Sequence, residues 1–215
     1  MATERLRYVN TASSGGDGTG GQDVTSGATA AYASSSACEA AQQDDIVTDD
    51  VYFRASCVGS AADTTELVIA GWTTDATRYI EWFTPTGHAN GRFTGSAFST
   101  TTYRIERVSS GSACLQVQEE NVRIIGLAVR KEKAASVDKF AFYVPSGIGA
   151  GDVRFLKCIA KGVYTSGSDA HGGFAFYDSS PTYRVNNCLA YDFSGASGKG
   201  FEQASFAPLY IYNSG

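Results

Sequence analysis

Four segments of this chain can be laid over one another: Val122-Arg-Ile-Ile-Gly-Leu-Ala, Val153-Arg-Phe-Leu-Lys-Cys-Ile-Ala, Tyr183-Arg-Val-Asn-Asn-Cys-Leu-Ala and Leu209-Tyr-Ile-Tyr-Asn-Ser. Their first residues lie 31, 30 and 26 positions apart. A second series, Leu115-Gln-Val-Gln, Phe140-Ala-Phe-Tyr, Phe174-Ala-Phe-Tyr and Phe201-Glu-Gln-Ala, falls between them, so each unit holds at least two short strands. An antiparallel sandwich reverses at every hairpin and has no reason to return one residue type to one strand position at nearly constant spacing. A solenoid does, because successive coils stack about 4.8 Å apart with like positions in line. The repeat therefore predicts an all-β solenoid of parallel strands.

Stacking assigns directions to side chains. Leu127, Cys158 and Cys188 are expected in one inward ladder and Val122, Val153 and Tyr183 in another. Arg123, Arg154 and Arg184 fall on the alternate face and form an outward ladder. Three like charges at strand spacing repel unless acids, solvent or a neighbouring subunit offset them, so this row is a candidate subunit contact. The cysteines, at 38, 57, 114, 158 and 188, are odd in number and contain no CxxC pair. Buried free thiols are expected.

Upstream of the repeats the same style continues. Gly, Tyr and Phe are abundant while Met and Pro are scarce, which favours strands and turns. Arg7 to Thr11 reads as a strand. Ala28 to Gln43 reads as a helix, with Thr25 or Ser26 as its N-cap. Two regions follow: residues 1–45, holding the strand, a Gly-rich loop and the helix, and residues 46–215, holding the coils.

The repeats between Cys114 and Gly215 resemble those of the right-handed parallel β-helix proteins of the pectate-lyase-like superfamily, found in polysaccharide lyases and in many bacteriophage virion proteins such as tailspikes. The upstream strand, Gly/Ser loop and alanine-rich segment are similar in style to that group. The resemblance implies a right-handed single-stranded parallel β-helix whose first coil is capped by an N-terminal α-helix. Such a fold serves lyases, hydrolases, adhesins and shells alike.

Chemistry is sparser. The formal charge of −5 and pI near 5.0 argue against a polyanion-binding surface, so nucleic acid is not an expected partner. No run approaches the roughly 18 apolar residues of a membrane span, and Met1 to Asn10 lacks the apolar core of a secretory signal. The expected product is made in the cytosol and released by another route. The glycine-rich GGDGTGGQD, Gly15 to Asp23, lacks both the lysine of a phosphate loop and the second half of a calcium turn. A flexible connection is the expectation there. Asp44, Asp45, Asp49 and Asp50 are too close in sequence to come from successive coils, so they read as a turn rather than a metal site.

His171, in Ser168 to Phe174 (SDAHGGF), partly echoes the Gly-His-Gly of polygalacturonase-like hydrolases, but no aspartate partners occupy the matching turns and no carboxylate pair can be nominated. His88 lies in an aromatic-rich stretch with Trp72 and Trp82. These four residues, Trp72, Trp82, His88 and His171, are the candidate carbohydrate contacts, with core packing the alternative for the tryptophans. No catalytic residue, metal ligand or cofactor is expected.

The first expectation for function is thus a non-catalytic structural part of a bacteriophage particle, such as a tailspike, fibre or capsid-decoration domain. The family likeness implies a homo-oligomer, a trimer, in contact with other virion proteins and with cell-surface polysaccharide. An extracellular polysaccharide lyase or glycosidase, or a sugar-binding module, are the alternatives. The last coil begins at Pro208 and stops at Gly215, which leads to the expectation of a fragment or of an end covered by another chain.

Overall fold

In the computed structural model, which describes residues 1–85, 98–109, 113–133, 139–163, 171–193 and 198–214, strands dominate. β1 (Thr3–Asn10) leads to α1 (Ser35–Gln42), and from there the chain follows a three-strand rhythm. The first coil is β2 (Val51–Val58), β3 (Ala62–Asp63) and β4 (Leu67–Ile69), and the second is β5 (Ile80–Phe83), β6 (Arg104–Ser109) and β7 (Ala113–Val117). Next come β8 (Val122–Ile125), β9 (Ala128–Lys133) and β10 (Lys139–Val144), then β11 (Asp152–Leu156), β12 (Ile159–Val163) and β13 (His171–Phe176). A fifth coil holds β14 (Thr182–Asn186), β15 (Leu189–Tyr191) and β16 (Gly198–Gln203), and β17 (Leu209–Tyr212) opens a sixth.

Like strands of successive coils pair in parallel, giving three sheets in the order β1-β2-β5-β8-β11-β14-β17, β3-β6-β9-β12-β15 and β4-β7-β10-β13-β16. This is a solenoid-like, all-parallel β architecture. Because β1 pairs with β2 along its whole length, the N-terminal region is built onto the same sheet as the coils.

The register of the first repeat series is as read: Val122 lies beside Val153, Val153 beside Tyr183 and Tyr183 beside Leu209. The second series needs a correction. Phe174 pairs with Phe142, not with Phe140, and Phe142 pairs with Leu115. Phe142 and Phe174 belong to the buried core, whereas Phe140 packs against Tyr143 and Tyr177. Phe142, Phe174 and Phe201 form a stack with ring centroids 4.5 and 5.0 Å apart.

Both predicted inward ladders are buried: Leu127, Cys158 and Cys188 in one, Val122, Val153 and Tyr183 in the other. The two stacked thiols are not joined; the Cys158 amide donates to Cys188 Sγ at 3.4 Å, and all five cysteines are free and buried. Just before this ladder the chain turns a tight corner at Gly126, Lys157, Asn187 and Asn213, all with positive φ (71°, 55°, 52° and 47°). Amides of the first three donate to the next coil, at Leu156, Asn186 and Tyr212, so the corner itself is hydrogen-bonded coil to coil.

Helix α1 is shorter than the alanine run predicts. Ser34, not Thr25 or Ser26, is the N-cap, its Oγ accepting from the Ala37 amide at 3.2 Å. The first half of the run is not helical: Ala28 and Thr29 lie in a turn, Tyr32 bridges to Val9, and Ala30 and Ala31 enter the core. Pairing with β1 outweighs alanine's helix propensity there. The Gly-rich segment is likewise held rather than slack. Asp17 and Gly18 amides donate to Ala28 and Ala30 carbonyls, and the Tyr8 amide donates to Gly18. A Cβ on Gly16 would sit 2.6 Å from the Ala30 backbone, which explains a glycine by close approach.

Buried Asp63 ties α1 to the coils. Its Oδ2 accepts from the Ser35 amide (2.7 Å), Ser35 Oγ (2.8 Å) and Tyr103 Oη (2.8 Å), and its Oδ1 accepts from Thr65.

Candidate functional site

The outer face of the seven-stranded sheet carries residues that alternate with the core. On it the Phe53 amide donates to the Tyr79 carbonyl, which brings Tyr52 and Tyr79 side by side. Their rings stack at 5.2 Å with 22° between planes, and the Arg123 guanidinium lies 3.4 Å over the Tyr79 ring. Beside this stack opens a cavity of about 420 Å³ lined by Met1, Ala2, Asp50, Tyr52, Thr77, Arg78 and Tyr79.

The polar wall of the cavity is pre-set. Asp50 ends the turn before β2 with φ 53° and accepts from Arg78 Nε at 3.0 Å. Arg78 also donates through Nη1 to Asp75. Asp75 accepts in turn from the Thr77 and Arg78 amides at 2.8 Å and from Thr77 Oγ1 at 2.9 Å, and these backbone bonds hold its carboxyl well below the usual range. An aromatic ring next to a fixed carboxylate and guanidinium can take an apolar ligand face and adjacent hydroxyl groups at once.

The rest of the face is paired within the chain. Arg54 joins Glu81 (2.6 Å) and Glu4 (2.7 Å). Arg154 and Arg184 share Asp152, the latter at 3.1 Å, and Arg184 lies over Tyr210. The arginine row is in register as expected, and each member has an intramolecular partner: Arg123 a tyrosine ring, Arg154 and Arg184 one aspartate.

A second depression, of about 310 Å³, is lined by Thr64, Glu106, Arg107, Arg130 and Glu132. Arg130 lies between Glu106 (3.2 Å) and Glu132 (3.5 Å), while Arg107 meets Glu66 at 2.7 Å. Charges here also neutralise one another.

The two tryptophans nominated from the sequence as sugar contacts are packed in the core instead. Trp82 is fully buried and packs 6.0 Å from Phe53; Trp72 is 6 % exposed, 4.8 Å from the same ring. Their burial supports the packing alternative and leaves no broad ring face to solvent. Trp72 Nε1 donates at 2.7 Å to Glu39 Oε1 of α1, which also accepts from the Ala70 amide; burial pushes the Glu39 carboxyl up to about 7. The Trp72 amide donates to Glu119, whose carboxyl burial also raises.

His88 lies outside the described residues, and so does the side chain of His171, whose backbone begins β13. Its glycine neighbours have a packing reason: a Cβ on Gly173 would meet Ala190 Cβ and the Gly200 carbonyl, each at 2.6 Å. The four aspartates serve a turn, with Arg5 bridging Asp44 and Asp49 and with Asp45 accepting from Val47 and Thr48 amides. Among the described residues, no group of three or more His, Cys, Asp or Glu side chains is placed to hold a metal.

Tyr52 and Arg78 were not singled out in the sequence, and Asp50 was read only as part of a turn, because the aligned repeats began near Cys114. Carrying the period back to DDVYF and TRYIEW would have set Tyr52 beside Tyr79. Comparison with models of protein families, with curated proteins and with solved structures found no match for this chain.

Proposed function

We propose that this chain is the β-helix portion of a structural component of a bacteriophage particle, of the tailspike, fibre or decoration kind. The observation that carries the reading is the coil-on-coil continuity of core and surface. The Phe142–Phe174–Phe201 stack and the Leu127–Cys158–Cys188 ladder run in register, and outer charges are offset by neighbours in adjacent coils. Such a body resists bending because each layer is held by parallel pairing and apolar burial together.

In this reading the coils wind right-handed, as in the pectate-lyase-like proteins that the repeats resemble. Helix α1 closes the first coil, a role supported by its anchoring through Asp63 and Glu39. The chain works in the virion as a homo-oligomer, a trimer, among other virion proteins.

Light scattering on the purified chain tests this. A stable trimer whose mass survives dilution is the expected result; a monomer at all concentrations refutes the assembled reading.

A further inference from the structure

We propose that the cavity bounded by Met1, Asp50, Tyr52 and Arg78 is a binding site for a neutral pyranose sugar. Its volume of about 420 Å³ falls in the range of small-molecule sites. More telling is the wall. Tyr52 is half-buried and backed by Tyr79, and Tyr79 is gripped on its own face by Arg123. A ring held from behind loses little freedom when a ligand settles on it, so the C–H face of a sugar gains contact at low entropic cost.

Hydroxyl recognition comes from Asp50, Arg78 and Thr77. The Asp50 carboxylate gives one oxygen to Arg78, and its side chain is 54 % exposed, leaving acceptor capacity toward solvent. Neighbouring hydroxyls of a pyranose each donate and accept, which suits a carboxylate and guanidinium set side by side. The same ion pairs argue for a neutral ligand: Arg78 is already committed to Asp50 and Asp75. A uronate carboxylate would sit beside two aspartates that already offset the one guanidinium, whereas the remaining N–H groups of that guanidinium can still donate to neutral hydroxyls.

The site stands apart from the assembly reading. A monomer could bind sugar here, and a trimer could fail to.

Saturation-transfer NMR on the whole chain tests the site, with methyl β-D-glucopyranoside, methyl β-D-galactopyranoside, methyl α-D-mannopyranoside and sodium D-galacturonate as probes. At least one neutral glycoside is expected to receive saturation from the wild type and from Tyr52→Phe, and to lose it roughly tenfold in Tyr52→Ala. Asp50→Gly, which keeps the left-handed turn accessible, is expected to lose it similarly and covers the case in which Tyr52→Ala does not fold. The proposal is overturned if no neutral glycoside gives a signal that depends on Tyr52 or Asp50. A galacturonate signal stronger than every neutral one overturns the neutral class.

Discussion

Helix α1 is joined to the coils through a carboxyl that should make stability depend on pH in an unusual direction. Glu39 is 3 % exposed; its Oε1 takes both Trp72 Nε1 and the Ala70 amide, while Oε2 has no hydrogen-bond partner among the described residues. Burial raises its pKa from 4.5 to about 7. The folded chain then retains a proton between these values that the unfolded chain has released, so stability falls as pH rises through that window. A difference of that size corresponds to roughly 3 kcal/mol, of which about 2.5 kcal/mol is lost between pH 5 and pH 8. Glu119, also raised by burial, acts in the same direction. Asp44, Asp45 and Asp178 have lowered pKa values and act in the opposite direction, with stability lost only as pH falls through the acid range below 3.8.

The assay is urea unfolding at pH 5, 6, 7 and 8 for the wild type and Glu39→Gln, whose amide oxygen still accepts from Trp72 and Ala70. Wild-type stability should decline by about 2 to 3 kcal/mol across the series, and the variant should lose most of that slope whatever its absolute stability. An equally steep decline in the variant, or a wild type as stable at pH 8 as at pH 5, would refute the reasoning.

Three further outcomes are expected. Asp63→Ala strands the Ser35 amide, Ser35 Oγ and Tyr103 Oη, and chemical unfolding should show a loss of roughly 3 kcal/mol or more. Lys157 is exposed yet left-handed at φ 55° where Asn187 holds the next corner; Lys157→Asn should raise the unfolding free energy by about 0.5 to 1 kcal/mol. Thiol titration with an aromatic disulfide should find all five cysteines unreactive in the native chain and reactive after denaturation, since each is buried and unpaired; burial raises the Cys38, Cys57, Cys114 and Cys158 pKa values further.

Where the chain repeats, its fold was legible. The Val-Arg-x-x pattern places inward and outward residues by strand alternation, and the register of Val122, Val153, Tyr183 and Leu209 follows from it. The slip at Phe140 shows what a pattern cannot separate: FAFY matches FAFY letter for letter, yet Phe142 is the ring that reaches Phe174. Ala28 to Tyr32 was misread because helix propensity is local, whereas the partner of that segment, β1, lies about twenty residues back. The tyrosine site stayed hidden for a related reason. Its residues come from β2 and from the segments just before β2 and β5, in the first coils, where repetition is faintest.

The left-handed corner also governs where the molecule can grow. From β8 onward, two residues join each strand of the seven-stranded sheet to the next strand: Gly126 and Leu127, Lys157 and Cys158, Asn187 and Cys188. That length is locked by the positive φ and by an amide bond to the following coil. The other connections obey no such rule; from β10 to β11 and from β13 to β14 they span residues 145–151 and 177–181. Inserted peptides should therefore be rejected at the corner and accommodated along those edges only away from buried Asp178 and the Gly147 and Ile148 amides it holds, which makes the exposed parts of those edges the place to display a foreign epitope on this scaffold.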